Sequence, residues 1–84
     1  MKVEFVKYQE GRETWFEANY NGMLISVLQE NVGCNNGWNV RVNHQYLINS
    51  DMYPQTFHSF HEAVSVLCEH MEDGNLSENL GRGW

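Results

Sequence analysis

This sequence has few basic residues, and that shortage constrains the kind of partner it can have. It contains 5 Lys and Arg residues against 11 Asp and Glu residues, for a formal net charge of −6. Proteins that bind nucleic acids gain affinity by neutralising phosphates with clustered Lys and Arg. The basic residues are instead spread along the chain, at Lys2, Lys7, Arg12, Arg41 and Arg82. We therefore expect no direct binding to DNA or RNA, and we favour a protein partner with a basic surface.

Cysteines and long apolar runs are also scarce. The chain has only two cysteines, Cys34 and Cys68, whereas a secreted domain of this size usually carries several disulfides. We expect a loop thiol at Cys34 and a small buried hydrophobic side chain at Cys68. No apolar run approaches the roughly 20 residues that cross a bilayer, and the N-terminal residues lack a signal-peptide core. These absences predict a cytoplasmic protein that does not interact with membranes.

The chain has a single proline, Pro54, which discourages a helix at Tyr53 within the irregular segment 47–57. Apolar residues alternate with polar ones, or run together, over four predicted strands at 2–8, 12–20, 23–30 and 38–46. Asn21-Gly22 is the strongest hairpin signal, because both residues tolerate the positive φ of a type I′ turn. The polar stretch "NVGCNNG" predicts a loop before the fourth strand. In that strand one face would carry Trp38, Val40, Val42, His44 and Tyr46, with His44 as a packed histidine.

A helix is predicted over residues 60–73. Ser59 and Glu62 form a capping-box pattern at its start, and Gly74 is a typical stop signal. Apolar residues recur at helical spacing along a single stripe, at Phe60, Ala63, Val64, Leu67, Cys68 and Met71. The tail, 74–84, is expected to be a short helical turn or a mobile end.

These elements predict one α+β domain over residues 1–84, in which a four-stranded antiparallel meander is followed by one C-terminal helix packed on one face. A single helix covers one face only, yet strands one and three offer apolar residues to both faces. Trp15 also lies on the mixed face of strand two. The second face is therefore either an interface, including that of a possible homodimer, or is covered by the 47–57 segment and the tail.

Acidic side chains follow the outside of the predicted helix. This acidic strip comprises Glu62, Glu69, Glu72 and Asp73, and Val66 lies among them. The strip is either a solvated helix face or a docking surface for basic residues. As partner-binding residues we therefore predict the strip and Val66 on the helix, and Trp15 on the sheet.

The histidines of this region do not form a convincing metal site. His61 and His70 are nine residues apart, which places them about half a turn from each other on a helix. His58 and His61 come near each other, but no further ligand pair has zinc spacing. No third group would orient a pair of His61 and Cys68 for catalysis. We therefore predict no catalytic residue, no metal ligand and no cofactor.

In its length, its acidity, its strand-rich start and the strand-to-helix transition "TFHSFHEAVSVL", the chain resembles small acidic proteins of phages and mobile elements, such as anti-CRISPR proteins. The resemblance implies a non-enzymatic inhibitor in the host-cell cytoplasm that binds a bacterial defence or nucleic-acid-processing complex. One alternative is a small structural or assembly protein that forms homo-oligomers through its sheet. A small metal-binding protein that uses His58, His61 or Cys68 is a less favoured alternative.

Overall fold

The computed structural model of the protein describes residues 2–32 and 35–82, with side chains for all of these except 30–32, 35, 36 and 82. The fold is α+β, with one antiparallel sheet whose strands lie in the order in which they occur along the chain. The strands are β1 (Val6–Glu10), β2 (Glu13–Tyr20), β3 (Met23–Val32), β4 (Asn35–Val42), β5 (Gln45–Leu47) and β6 (Leu80–Arg82). One α-helix, α1 (Phe60–Asp73), stands between β5 and β6.

The sheet thus has six strands and not the predicted four, because the region predicted as one strand at 38–46 is a hairpin of β4 and β5, and the predicted tail contributes β6. Asn43 and His44 form its two-residue turn, with φ of 50° and 70°. Positive φ at both positions is the requirement of a type I′ turn, and asparagine meets it more easily than most residues. Asn43 Oδ1 also accepts a 2.9 Å hydrogen bond from the amide of Leu24. His44 is consequently exposed in a turn, and the prediction of a packed histidine was wrong.

The prediction of a loop over the whole of 31–37 was also wrong. β3 continues to Val32 and β4 begins at Asn35, with Asn31 paired opposite Asn36 and Val32 opposite Asn35. Asparagine is disfavoured in strands, but here the long hairpin extends its register through these residues. The predicted loop thiol, Cys34, lies outside the described residues.

The first predicted strand, 2–8, begins later and ends later than expected. β1 starts at Val6, and the residues before it leave the sheet to pack against the core through Val3 and Phe5. The ring of Phe5 meets that of Phe60 edge-on, with centroids 5.4 Å apart. This contact directs the N-terminal segment towards the helix side of the sheet.

The helix has the bounds that its capping residues predict. Ser59 Oγ accepts a 3.1 Å hydrogen bond from the amide of Glu62. Gly74 ends the helix in the left-handed region, with φ of 72°, and its amide donates to the carbonyls of His70 and Met71. The helix is not the last element, because a 3-10 helix (Leu76–Asn79) and β6 follow it.

The core lies between α1 and one face of the sheet, which we call the inner face. Ala63 and Leu67 of α1 are fully buried against it, and Val66 is partly buried there. Buried residues of the sheet complete the core: Ala18, Ile25, Val27, Val40, Val42 and Leu47. Cys68 was predicted to be buried but is only half-buried, and burial, followed by the carboxylate of Glu72, raises the pKa of its thiol.

The irregular segment 47–57 is held along the edge of the sheet. Phe57 is buried and exchanges two 2.8 Å backbone hydrogen bonds with Trp38. The amide of Gln55 donates to the carbonyl of Leu47, and the Gln55 carbonyl accepts from Asn39 Nδ2 at 2.9 Å. This segment lies beside β4, and β6 lies beside β5. The segment and β6 therefore extend the sheet at its edge.

A close approach at Gly37 holds this segment against β4. A Cβ atom at position 37 would overlap Thr56 Cγ2 and would stand 3.1 Å from the carbonyl oxygen of Phe57. We expect Gly37→Ala to lower the free energy of unfolding by roughly 1–3 kcal/mol, since the overlap forces strand and segment apart. Urea denaturation measures the change.

The matched control for this substitution is Thr56→Ser, which removes Cγ2 and so opens the space that the new methyl group needs. The double variant Gly37→Ala/Thr56→Ser should recover part of the loss. Equal stability of Gly37→Ala and the unmodified protein would contradict the close packing.

Candidate protein-binding face

The face of the sheet opposite α1, which we call the outer face, carries a group of aromatic and apolar side chains. Residues two apart along a strand point to the same side, so the register places these side chains together. Tyr8 of β1 lies opposite Trp15 of β2, and Trp15 lies opposite Leu28 of β3. We call Tyr8, Trp15 and Leu28 the aromatic patch.

The two rings of the aromatic patch stack on each other. The centroids of Tyr8 and Trp15 are 5.8 Å apart, and their planes differ by 13°. Trp15 Nε1 donates a 2.7 Å hydrogen bond to Glu17 Oε2, two residues along the same strand. With its only polar atom satisfied inside the protein, the indole offers its remaining surface to apolar or cationic groups.

A second row of side chains crosses the outer face beside the aromatic patch. Arg41 Nη2 donates a 2.6 Å hydrogen bond to Tyr46 Oη, and the Arg41 guanidinium lies 4.8 Å from the centre of the Tyr46 ring. Tyr46 lies directly opposite Arg41 in the register of β4 and β5. The guanidinium is thus held by a neighbour on its own face.

The aromatic patch is not part of the hydrophobic core. The core cluster and the side chains that pack against it include none of Tyr8, Trp15 and Leu28 among the described residues. Tyr8 keeps 44% of its surface exposed, and Val6, on the same face, keeps 58%. The second face is therefore open at Tyr8 and Val6, but it is covered at Asn39, which lies opposite Leu28, is 4% exposed and donates a hydrogen bond to Gln55 of the 47–57 segment.

Acidic residues flank the aromatic patch on both sides, because Glu13 and Glu17 lie two residues before and two residues after Trp15 on β2. Glu10 and Glu13 lie directly opposite each other at the end of the β1–β2 hairpin, and both are exposed. Like charges at directly opposed positions are destabilising, so this pair lowers stability slightly. Together with Glu17 these residues form what we call the acidic rim. The rim places carboxylates beside the aromatic patch.

The structure separates the residues that the sequence predicted as one partner-binding set. Trp15 lies on the outer face. The acidic strip lies on the exposed side of α1, and the sheet lies between this strip and Trp15. All members of the strip are exposed, namely Glu62, Glu69, Glu72 and Asp73. Val66 is partly buried towards the core. The two surfaces thus lie on opposite sides of the sheet, and salt screens exposed charges that are further apart than the roughly 8 Å Debye length.

The histidines take up divergent positions. His58 and His61 are exposed near the start of α1, whereas His70 Nδ1 lies 2.9 Å from Asn75 Oδ1 just after its end. Within residues 2–32 and 35–82, no group of three His, Cys, Asp or Glu side chains could hold a metal ion. His70 stabilises the end of the helix through its contact with Asn75.

Sequence reasoning found Trp15 but missed the residues around it. The signal for Tyr8 was present, because a two-residue turn at Gly11-Arg12 places Tyr8 opposite Trp15. Glu10 and Glu13 follow from the same register. Tyr46 was predicted to share a face with Val42, and this was wrong, because the turn at Asn43-His44 brings Tyr46 opposite Arg41 on the outer face.

Comparison with models of protein families, with curated proteins and with solved structures found no match to this chain. No helix in the described ranges combines the length and the apolar character needed to pass through a lipid bilayer. The case for a function therefore depends on the outer face itself.

Proposed function

We propose that this protein is a non-enzymatic binding module whose outer face contacts a protein partner with a basic surface. The observation that carries the proposal is the aromatic patch beside the acidic rim, in which Tyr8 is exposed and Trp15 and Leu28 are partly buried. Tyr and Trp are enriched at the centres of protein interfaces, where rigid aromatic side chains contribute a large contact area. Tyr8 and Trp15 have that character, and neither is used by the core.

The charge of the acidic rim selects the kind of partner. Lys and Arg side chains of a partner would pair with Glu10 and Glu13 at the edge of the contact. A guanidinium or ammonium group can also lie on the face of an indole, so Trp15 favours the same partners. The net charge of −6 adds long-range attraction to a basic surface, which speeds encounter.

The acidic strip on α1 has a secondary role in this proposal. It lies on the far side of the molecule, and salt screens its field at the outer face. It contributes to affinity if the partner also reaches α1, as a partner that encloses the protein in a channel would. Such a basic channel exists in complexes that process nucleic acids, and the resemblance to phage inhibitors favours a bacterial defence complex of that kind.

Affinity capture with two charge-neutral variants of the outer face tests the proposal. We expect the unmodified protein to capture a basic protein from a bacterial lysate at low salt and to release it at high salt. Trp15→Ala and Leu28→Ser each remove part of the aromatic patch and should reduce capture about tenfold or more, because central aromatic anchors contribute about 2 kcal/mol or more. Mass spectrometry of the captured proteins gives the readout.

The matched control is Glu69→Lys/Asp73→Lys, which changes the acidic strip on the opposite side. If this variant still captures the partner, the outer face is the binding surface. If only this variant loses capture, the binding surface is the acidic strip on α1. Circular dichroism confirms that each variant is folded. Full capture by Trp15→Ala and Leu28→Ser would contradict the proposal.

A further inference from the structure

The first strand, β1, lies at the edge of the sheet, and only one of its two sides is paired. Its partner is β2, and all five of its residues are exposed. We propose that two copies of this protein form a symmetric dimer by antiparallel pairing of their β1 strands, centred on Tyr8. This inference does not rest on the proposed function, although Tyr8 and Glu10 take part in both.

The hairpin geometry shows which backbone groups of β1 are available. Gly11 and Arg12 form a two-residue turn, so the flanking pair, Glu10 and Glu13, is hydrogen-bonded within the hairpin. Hydrogen-bonded and non-hydrogen-bonded pairs alternate in an antiparallel ladder. Tyr8 and Val6 therefore direct their amides and carbonyls to β2, and Lys7 and Gln9 direct theirs away from the sheet.

Only a few registers let these outward groups meet. In a two-fold pairing centred on Tyr8, Lys7 of each copy lies opposite Gln9 of the other, and four backbone hydrogen bonds form. A pairing centred on Lys7 would place two lysines directly opposite each other, which is unfavourable. A pairing centred on Gln9 would place Lys7 opposite Gly11 in the turn, so fewer bonds could form. The Tyr8-centred register has the most hydrogen bonds and no like charges opposite each other.

The side chains of β1 also fit this register. Tyr8, with 44% of its surface exposed, would stand beside Tyr8 of the second copy on the outer face. Aromatic pairs at directly opposite positions are favourable in antiparallel sheets. The stacked rings of Tyr8 and Trp15 would then lie next to the stacked Tyr8 and Trp15 rings of the second copy. Val6, with 58% exposed, would lie opposite Glu10 and would cover its aliphatic part.

The symmetry makes the assembly closed. A two-fold pairing of β1 with β1 uses the same edge of both copies and leaves no further β1 edge available. At the other edge of the sheet, β6 has three residues, which is too short to support an equivalent ladder. Because each copy has a charge of −6, the two copies repel each other at low salt, and salt should strengthen the dimer.

Opposite substitutions at Gln9 test the register. In the Tyr8-centred dimer, Gln9→Glu creates two opposite-charge pairs with Lys7, and we expect dimerisation to become roughly two- to thirtyfold tighter. Gln9→Lys creates two like-charge pairs and should weaken dimerisation by a similar factor. Sedimentation velocity over a concentration series up to the millimolar range measures both. Inside one copy Gln9 faces Thr14, so neither substitution should change the melting temperature much.

The variant Gln9→Pro tests the edge itself. It removes an amide that points away from the sheet, where proline is tolerated, so the copy should fold and remain a monomer. A protein that stays monomeric at every concentration and at high salt would overturn the proposal. Tighter dimerisation with Gln9→Lys would overturn the register, and a dimer that persists with Gln9→Pro would overturn pairing through β1. Salt separates this result from partner binding, because salt weakens capture of a basic partner and strengthens the dimer.

Discussion

Phe57→Ala is expected to lower the free energy of unfolding by about 3–5 kcal/mol. The side chain is 1% exposed and is the largest of the fully buried side chains. Truncation leaves a cavity between the sheet and the 47–57 segment, and the backbone bonds between Phe57 and Trp38 prevent the site from collapsing fully. The substitution therefore measures how strongly this irregular segment is part of the core.

Urea denaturation followed by tryptophan fluorescence gives the stability, and Met52→Ala is the matched control. Met52 lies in the same segment but is 69% exposed, so its truncation should change the stability by less than about 0.5 kcal/mol. If Phe57→Ala were as mild as the control, the segment would not contribute to the core as the structure indicates.

The second large effect is expected from Leu67→Ala, which should lower the free energy of unfolding by about 2–5 kcal/mol. Leu67 is fully buried on the side of α1 that faces the sheet. The helix packs its buried side against the inner face, so a cavity here weakens its attachment. Thermal unfolding followed by circular dichroism measures the change.

Ser65→Ala is the matched control for the helix. Ser65 is exposed on α1, and alanine has the higher helix propensity, so stability should stay equal or rise by a few tenths of a kcal/mol. Equal losses in both variants would mean that the buried side of the helix had been misassigned.

These losses are large for a protein of this size. A chain of 84 residues has a net stability of roughly 4–13 kcal/mol, so either substitution removes a substantial part of it. Trp15 and Leu28, by contrast, are outside the core cluster. The protein therefore has a stabilising side and a side whose aromatic patch we propose for binding. Substitutions on the two sides should separate loss of stability from loss of binding.

The helix could be predicted in detail because its signals are local. Ser59, Glu62 and Gly74 lie within or next to the helix ends, and the capping contacts join residues only three or four apart. The hairpin turn at Asn21-Gly22 is local in the same way, and both residues have positive φ. A prediction succeeds where the interactions that decide the structure are close in the sequence.

The candidate binding set could be predicted only in part, because its members lie on different elements. Trp15 was found from the alternation within one strand. Tyr8 joined it through the register between strands, and the acidic strip was separated from it by the position of the helix. Val66 was assigned to the outside of the helix, but the helix packs with a rotation that turns this side chain partly towards the core.

The sequence by itself determined the acidic charge, the α+β class, the helix with both of its ends and the excess of apolar residues over what one helix can cover. Only the tertiary structure decided the number of strands, because β5 and β6 have three residues each and are stable only when paired with neighbours. It also decided which face stays open. The 47–57 segment and β6 pair at the sheet edge, where unpaired backbone groups require partners, and the aromatic patch stays partly exposed.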